Sequence, residues 1–278
     1  MRSEDHAARL VRRLFGEYHD SAALGTRMKW QHVALCAVVL VTTVAAQWSA
    51  SLSLPISAAS IALPGGASAS GLRLWVDSSE AATLGLDPRV RFWFDKSGDG
   101  RHLTVSAGTR APYATAISSR QQVIFDDGAL ALGQPITLST ITAFFVIRGG
   151  SDTGYHPLLG RSDHVTGFVI DARRLRALSN GTSVITGVFG SITGASIVTI
   201  RTNGAGTDYA SVNGGTEYLF SFNTSESVDR VGAIHSAAGA RLLQASISEI
   251  IIWNRAMNVT ERTGVLRALG AKWGVTVP

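Results

Sequence analysis

The chain has 278 residues, 45% hydrophobic and 16% charged, enough apolar material for one large domain and an appendage. Its net charge is +5, of which residues 1–29 hold +2 from six basic and four acidic side chains, leaving +3 for the remainder. So small an excess, with one basic cluster (Arg173, Arg174, Arg176) and no aromatic among it, argues against nucleic-acid binding.

Residues 1–29 read as a basic N-terminal tail or a short amphipathic helix. Leu10, Val11, Leu14, Phe15 and Tyr18 fall at helical spacing, with Arg9, Arg12 and Arg13 between them. Residues 30–50 carry no charge and form an apolar signal or anchor segment. Three readings of it stand side by side. Counted from Met28, it resembles an export signal: Lys29, an apolar run, then Val44-Ala45-Ala46. Uncleaved, it is a membrane anchor that keeps the basic N-terminus inside. Its third reading is a segment buried in a larger assembly such as a virion. Cys36, the single cysteine, rules out an intrachain disulfide. Residues 51–70, rich in Ser, Ala, Pro and Gly, read as a linker.

From residue 71 to 278 strand signals recur about every ten residues. Leu72, Leu74 and Val76 alternate with Arg73 and Trp75, and Val90–Phe94 follows. Further strands are expected at Gln122–Phe125, Ile141–Arg148, His156–Gly160, Thr166–Ala172, Ser183–Val188 and Ile197–Thr202. Asp208–Val212 and Tyr218–Phe222 flank Asn213-Gly214-Gly215, the clearest hairpin. Asp229–Ile234 and Ala245–Trp253 come last. The period then changes. Asn258 caps a helix with Glu261 three residues on, Val265, Leu266, Leu269 and Trp273 share a face, and Gly274 stops it. The expected fold is an all-β antiparallel sandwich with a short C-terminal helix, preceded by an N-terminal apolar helical segment. Trp75, Trp93, Phe144, Phe145 and Trp253 are expected in the core or at an interface.

Several stretches together resemble the LamG-like jelly-roll domains of the concanavalin A-like lectin/glucanase superfamily. They are LRLWVDSSE (72–80), FWFDKSGDGRHL (92–103), APY (111–113), VIFDDGAL (123–130), SVNGGTE (211–217) and SEIIIWNRAMNVTERTGVLRALGAKWG (248–274). The resemblance covers residues 71–278. It implies a jelly roll whose first and last strands are neighbours, so that Ser248–Trp253 lies near Leu72–Val76. The fold hosts many functions, so it does not assign one.

Catalysis is not expected. Glycosidases of the superfamily share an E-x-D-x-x-E strand, and none of Glu80, Glu217, Glu226, Glu249 and Glu261 has an Asp two positions on. Glu226 and Asp229, three apart, would face opposite sides of a strand. No G-x-S-x-G or H-E-x-x-H occurs. No cofactor is required. Calcium is the one ion with a candidate site, at Asp95, Ser97, Asp99, Asp126 and Asp127, although the same side chains serve equally as turn caps, the preferred reading. A glycan site needs an aromatic platform with polar donors, and Tyr155, His156, Asp163, His164, Tyr209 and Asn213 are the candidates. The expected function is a non-catalytic, exported and surface-displayed binding module for a glycan or cell-surface polysaccharide. A structural virion or envelope-assembly protein contacting other subunits is the alternative, and a glycoside hydrolase with an unrecognised site the second. Membrane contact is expected only through residues 30–50.

Overall fold

Short strands with one apolar face must pair and then bury that face, and this chain does so with two sheets. The computed structural model describes residues 62–278 apart from 88, 118–119, 150–152, 181, 189–190, 223–224 and 236–240. The expected tail, the apolar segment and residues 51–61 of the linker lie outside the described residues.

One sheet runs, in spatial order, β15 (Tyr218–Phe220), β14 (Asp208–Val212), β13 (Ser196–Arg201), β8 (Thr142–Arg148), β18 (Arg241–Trp253), β6 (Arg120–Gly128) and β5 (Tyr113–Ile117). The long β18 also pairs with β1 (Leu72–Asp77) and with β17 (Ala233–Ile234). The second sheet runs β12 (Thr182–Val188), β11 (Arg174–Ser179), β10 (Gly167–Asp171), β9 (Tyr155–Gly160), β16 (Ser227–Val231), β7 (Leu130–Thr137), β4 (Leu103–Val105), β3 (Arg89–Trp93) and β2 (Leu84–Asp87). The pairings are antiparallel, as the sandwich reading requires.

Alternation along each strand sends one set of side chains between the sheets. Trp93, Phe125, Phe145, Phe168, Ile247 and Leu130 meet there, each no more than 2% exposed. Trp75, Phe144 and Trp253 point the other way, into a second apolar cluster beneath the one described α-helix, α1 (Val259–Trp273). That helix lays Val265, Leu266, Leu269 and Trp273 on the outer face of the first sheet. Its ends are as the sequence implies. Asn258 accepts from the Glu261 amide at 2.9 Å, and Gly274 closes it in the left-handed conformation with φ 68°.

The pairing of β1 with β18 joins Leu72 to Trp253, Trp75 to Ile251 and Asp77 to Glu249, so the two ends of the domain are neighbours as expected. The β14–β15 hairpin also forms as read. Five strands escaped the sequence reading. β2 and β4 are only four and three residues long. β7 contains Gly133 and Pro135, which read as a break; the Pro lies beyond the pairing with β4, where its missing N–H costs no ladder bond. β5 (YATAI) and β11 (RLRALS) alternate too weakly to stand out.

Residues Ala62–Ser70 pack on α1 rather than standing off it. Trp253 Nε1 donates to the Ser68 carbonyl at 2.9 Å and Arg255 Nε to that of Ser70 at 2.9 Å. The tightest approach is at Gly65, with φ 65°, where a Cβ would lie 2.1 Å from the Gly264 carbonyl carbon. Both the conformation and the contact demand glycine. Gly65→Ala is therefore expected to cost about 2 kcal/mol or more in urea unfolding. Gly98→Ala, where φ is 84° but no atom lies within 4 Å of the added Cβ, should cost about 1 kcal/mol. Equal losses would show that backbone strain, and not the contact with α1, is what glycine relieves at residue 65.

Candidate functional site

Helix α1 covers only part of the outer face of the first sheet. It sits over Phe144, Val146, Ile197, Ile251 and Trp253. Toward β5 and β6 the same face opens as a recess of about 550 Å³, within the range of small-ligand sites. Its lining follows from register. Tyr113 is opposite Ile124, Ile124 opposite Ser246, and Ser246 opposite Arg148. These four form one row across β5, β6, β18 and β8, roughly 14 Å long at the usual strand spacing. The alternate residues Phe125, Ala245 and Ile147 go to the core. Asp126 and Gln244, also register partners, extend the recess along the strands.

Local irregularity shapes this lining. A bulge between Leu243 and Gln244 leaves Asp127 unpaired, and Asp127 takes φ 55°. Its neighbour Asp126 is exposed at the recess, and the Gln244 amide reaches the Asp127 carboxylate at 3.5 Å. The Ser246 hydroxyl donates to Gln122 Oε1 at 2.7 Å. Arg89 lies 5.8 Å from the Tyr113 ring centroid, a cation on the aromatic. Arg148 Nε is buried and has no hydrogen-bond partner among the described residues. The recess thus offers one aromatic ring, one carboxylate, one guanidinium, one amide and one hydroxyl, a set suited to a polyhydroxylated ligand.

A different constellation lies beneath α1. Asp77 and Glu249 are side by side, and Lys272 of α1 donates to both, at 2.6 and 2.8 Å. Glu249 also accepts from Trp75 Nε1 at 2.8 Å and Trp273 Nε1 at 2.7 Å. Lys96 reaches Asp77 at 3.3 Å, also bonds Glu80, and lies 4.2 Å above the Trp75 ring. Burial, and then the charge on Asp77, push the Glu249 carboxyl above the ordinary value of 4.5. Burial also acts upward on Asp77, but the hydrogen bond and charge of Lys272, with Ser79 and Lys96, outweigh it and hold the group below 3.8. Two close carboxylates with separated acidities resemble an acid/base pair. Here Glu249 is wholly buried and both its oxygens are occupied, so the pair clamps the helix instead of facing a substrate.

The sequence candidates fall in several places. Asp95 accepts from the amides of Trp75, Ser97 and Arg101 at 2.9 Å each and from the Ser97 hydroxyl at 2.7 Å. Asp99 accepts from Arg101 at 2.6 Å and Arg73 at 3.4 Å. That loop presents donors to its acids, an arrangement that holds a turn. Asp126 lines the recess on β6, and Asp127 beside it meets the Gln244 amide. Among the described residues no group of three or more His, Cys, Asp or Glu side chains is placed to hold a metal ion. Asp163 and His164 do come together, beyond β9. His164 Nδ1 is 2.7 Å from Asp163, its Nε2 is 3.1 Å from Glu226, and Arg161 binds both acids at 2.6 and 2.8 Å. Ser162 donates to Asp229 at 2.6 Å, so Glu226 and Asp229 serve one loop. A bulge between Val228 and Arg230 breaks the simple alternation that would have parted them.

Tyr155 and His156 begin β9, with Arg241 4.4 Å from the Tyr155 ring centroid and His156 buried. Tyr209 lies on β14 under Arg201, 4.2 Å away. Asn213 accepts from the Ile197 amide at 2.7 Å and shapes its turn with φ 55°. Tyr113, Arg148, Gln244 and Ser246 were missed. The one signal for them was Arg148, a cation ending the otherwise apolar ITAFFVIR.

No family model and no curated protein matches the chain. Solved structures do. A Trypanosoma rangeli sialidase is similar at 15% identity and TM-score 0.48, over 75% of this chain and 34% of the sialidase. Domain 4 of AbnA, an extracellular arabinanase from Geobacillus stearothermophilus solved with arabinotriose, is similar at 9% identity and TM-score 0.48, over 71% of this chain and 98% of that one. A receptor binding domain is similar at 13% identity and TM-score 0.51, over 72% of this chain and 51% of that one. The chain therefore spans about a third of the sialidase's length. At these identities the likeness is one of fold. The likeness agrees with the all-β sandwich seen in the strand pairings and does not confirm the LamG-like jelly roll. One expectation is overturned: the chain was read as no enzyme, and the sialidases among its structural relatives are enzymes. The likeness assigns no catalytic residue to this chain.

The clamp beneath α1 has a measurable pH signature. Glu249 has its folded value above its unfolded one, so its ionisation subtracts stability as pH rises above 4.5. Asp77 has the reverse order, so its contribution is present above 3.8 and is lost as pH falls through its folded value. Lys272→Met removes the cation both acids share. It is expected to cost about 3 kcal/mol or more at pH 7, and distinctly less at about pH 4.5, because the Glu249 carboxyl, raised above that ordinary value, then takes up a proton. Urea midpoints at the two pH values measure the difference, and identical losses would show that Lys272 does not balance these acids.

Proposed function

We propose that the sandwich is a carbohydrate-recognition domain of LamG-like type, borne on an exported, surface-displayed protein, and that its ligand sits in the recess between β5 and β8. The observation that carries this reading is the row Tyr113–Ile124–Ser246–Arg148, flanked by Asp126 and Gln244, on a face that α1 leaves uncovered. A sugar ring has an apolar face and a rim of hydroxyls. An aromatic side chain takes the first, while carboxylate, amide and guanidinium groups take the second. A row of about 14 Å accommodates an oligosaccharide better than a single sugar. The order of motifs along the sequence and the adjacency of β1 and β18 support the LamG-like assignment. That an arabinanase domain of similar fold was solved with a trisaccharide agrees with this reading and does not carry it.

The test is a glycan array probed with the full chain, followed by calorimetry on the best ligand. Tyr113→Ala and Gln244→Ala are each expected to weaken binding about ten-fold or more without moving the unfolding midpoint by more than about 1 kcal/mol. Tyr209→Ala, outside the recess, should leave affinity unchanged. A silent array, or undiminished binding by Tyr113→Ala, sinks the recess as the site. Turnover of a bound glycan would add hydrolysis to recognition at the same place.

A further inference from the structure

We infer that the ligand of the recess is an acidic glycan, a uronate-type oligosaccharide whose carboxylate pairs with Arg148. This rests on the reading of the recess as a carbohydrate site and narrows it. Several partly buried cations of the chain have carboxylate partners, while others, such as Arg89 and Arg201, lie against aromatic rings, and the Nε of Arg201 is orphaned as that of Arg148 is. Lys272 has Asp77 and Glu249, Lys96 has Asp77 and Glu80, Arg255 has Glu261, Arg262 has Glu217, and Arg161 has Asp163 and Glu226. Arg148 ends β8 beside the recess and has no such partner among the described residues. Its Nε is sealed from solvent and donates to nothing there. A guanidinium donor taken out of water without an acceptor costs free energy, and an ordered acceptor recovers it.

The nearest candidates for that acceptor are set aside by the register. Asp126 is opposite Gln244, one step along the strands from the Ser246–Arg148 pair, and forms no ion pair with Arg148. Asp127 is turned toward Gln244 by the bulge. The carbonyl of Arg148 itself lies near the Ser246 hydroxyl, so the backbone there is already engaged. The recess therefore has a cationic end at Arg148 and a hydroxyl-accepting end at Asp126, with Tyr113 across the row. A hexuronate chain presents the matching pattern: a carboxylate, a pair of vicinal hydroxyls and an apolar ring face. The planar guanidinium fork suits a carboxylate, to which it can donate two parallel hydrogen bonds.

The experiment uses the full chain and two probes of equal length, a galacturonate oligosaccharide and its carboxyl-reduced neutral counterpart, titrated by calorimetry at low and high salt. The acidic probe is expected to bind about ten-fold more tightly at low salt. That advantage should shrink at high salt while the neutral probe is unaffected. Arg148→Gln should lose about ten-fold for the acidic probe and change the neutral one less than about two-fold. Arg148→Lys, which keeps the charge without the fork, should fall between them. Equal affinity for the two probes, with both abolished by Tyr113→Ala, overturns the acidic-ligand inference and leaves the carbohydrate site standing. Equal weakening of both probes by Arg148→Gln also overturns it, because the residue would then act on the fold of the recess. Binding of neither probe, with neutral glycans silent on the array as well, overturns both readings together.

Discussion

The clamp on Glu249 decides how the outer face of the first sheet is used. Three donors from two elements converge on this one carboxylate: Trp75 from β1, and Lys272 and Trp273 from α1, with the acid itself on a third, β18. A buried acid with both oxygens satisfied sets the position of every group that satisfies it, because moving any one strands a charge. Lys272 extends the same network to Asp77. Strand β1, strand β18 and the helix are therefore held as one piece. The apolar cluster of Trp75, Phe144, Trp253, Leu269 and Trp273 supplies the attraction, and the polar clamp supplies the register.

Fixing α1 there leaves the β5–β6 side of the sheet without a cover among the described residues. An uncovered sheet face has its side chains chosen for water or for a ligand, and the two choices look different. Solvated faces are usually Thr, Lys and Glu with no shared geometry. The face here has a ring, an acid, an amide and a guanidinium gathered on adjacent strands, with one donor sealed from solvent. The helix and the recess are thus two halves of one surface. One half is apolar and closed with an internal acid, and the other is polar and open with an unmatched cation.

Much of the architecture was legible in the sequence because alternation is a local signal. ITAFFVIR and SEIIIW declare buried strands by themselves, and Asn258, Glu261 and Gly274 declare the helix ends. The strands that escaped are those whose support is not local. β5 has small residues and lies at a sheet edge, where β6 supplies its register. The recess was illegible for the same reason. Its residues come from 113, 124, 126, 148, 244 and 246, brought into line by three strand pairings that no spacing records. Glu249 and Asp77 are likewise 172 positions apart in the chain and adjacent only through the β1–β18 ladder. Bulges hid the rest. One at Val228/Arg230 lets Glu226 and Asp229 serve a single loop, and one at Leu243/Gln244 leaves Asp127 unpaired beside Asp126, which lines the recess.

The clamp and the recess differ in what they permit chemically. At Asp77 and Glu249, the shared lysine and the indole donors saturate the oxygens, so no proton can be passed to an outside group without dismantling the helix contact. At the recess, Asp126 is open to solvent and faces a space that a ring-sized molecule can enter. Of these two places only the recess leaves a carboxylate open, with a phenol and a guanidinium bordering the same volume. The burial that makes Glu249 look like a catalytic acid is what keeps it from meeting a substrate.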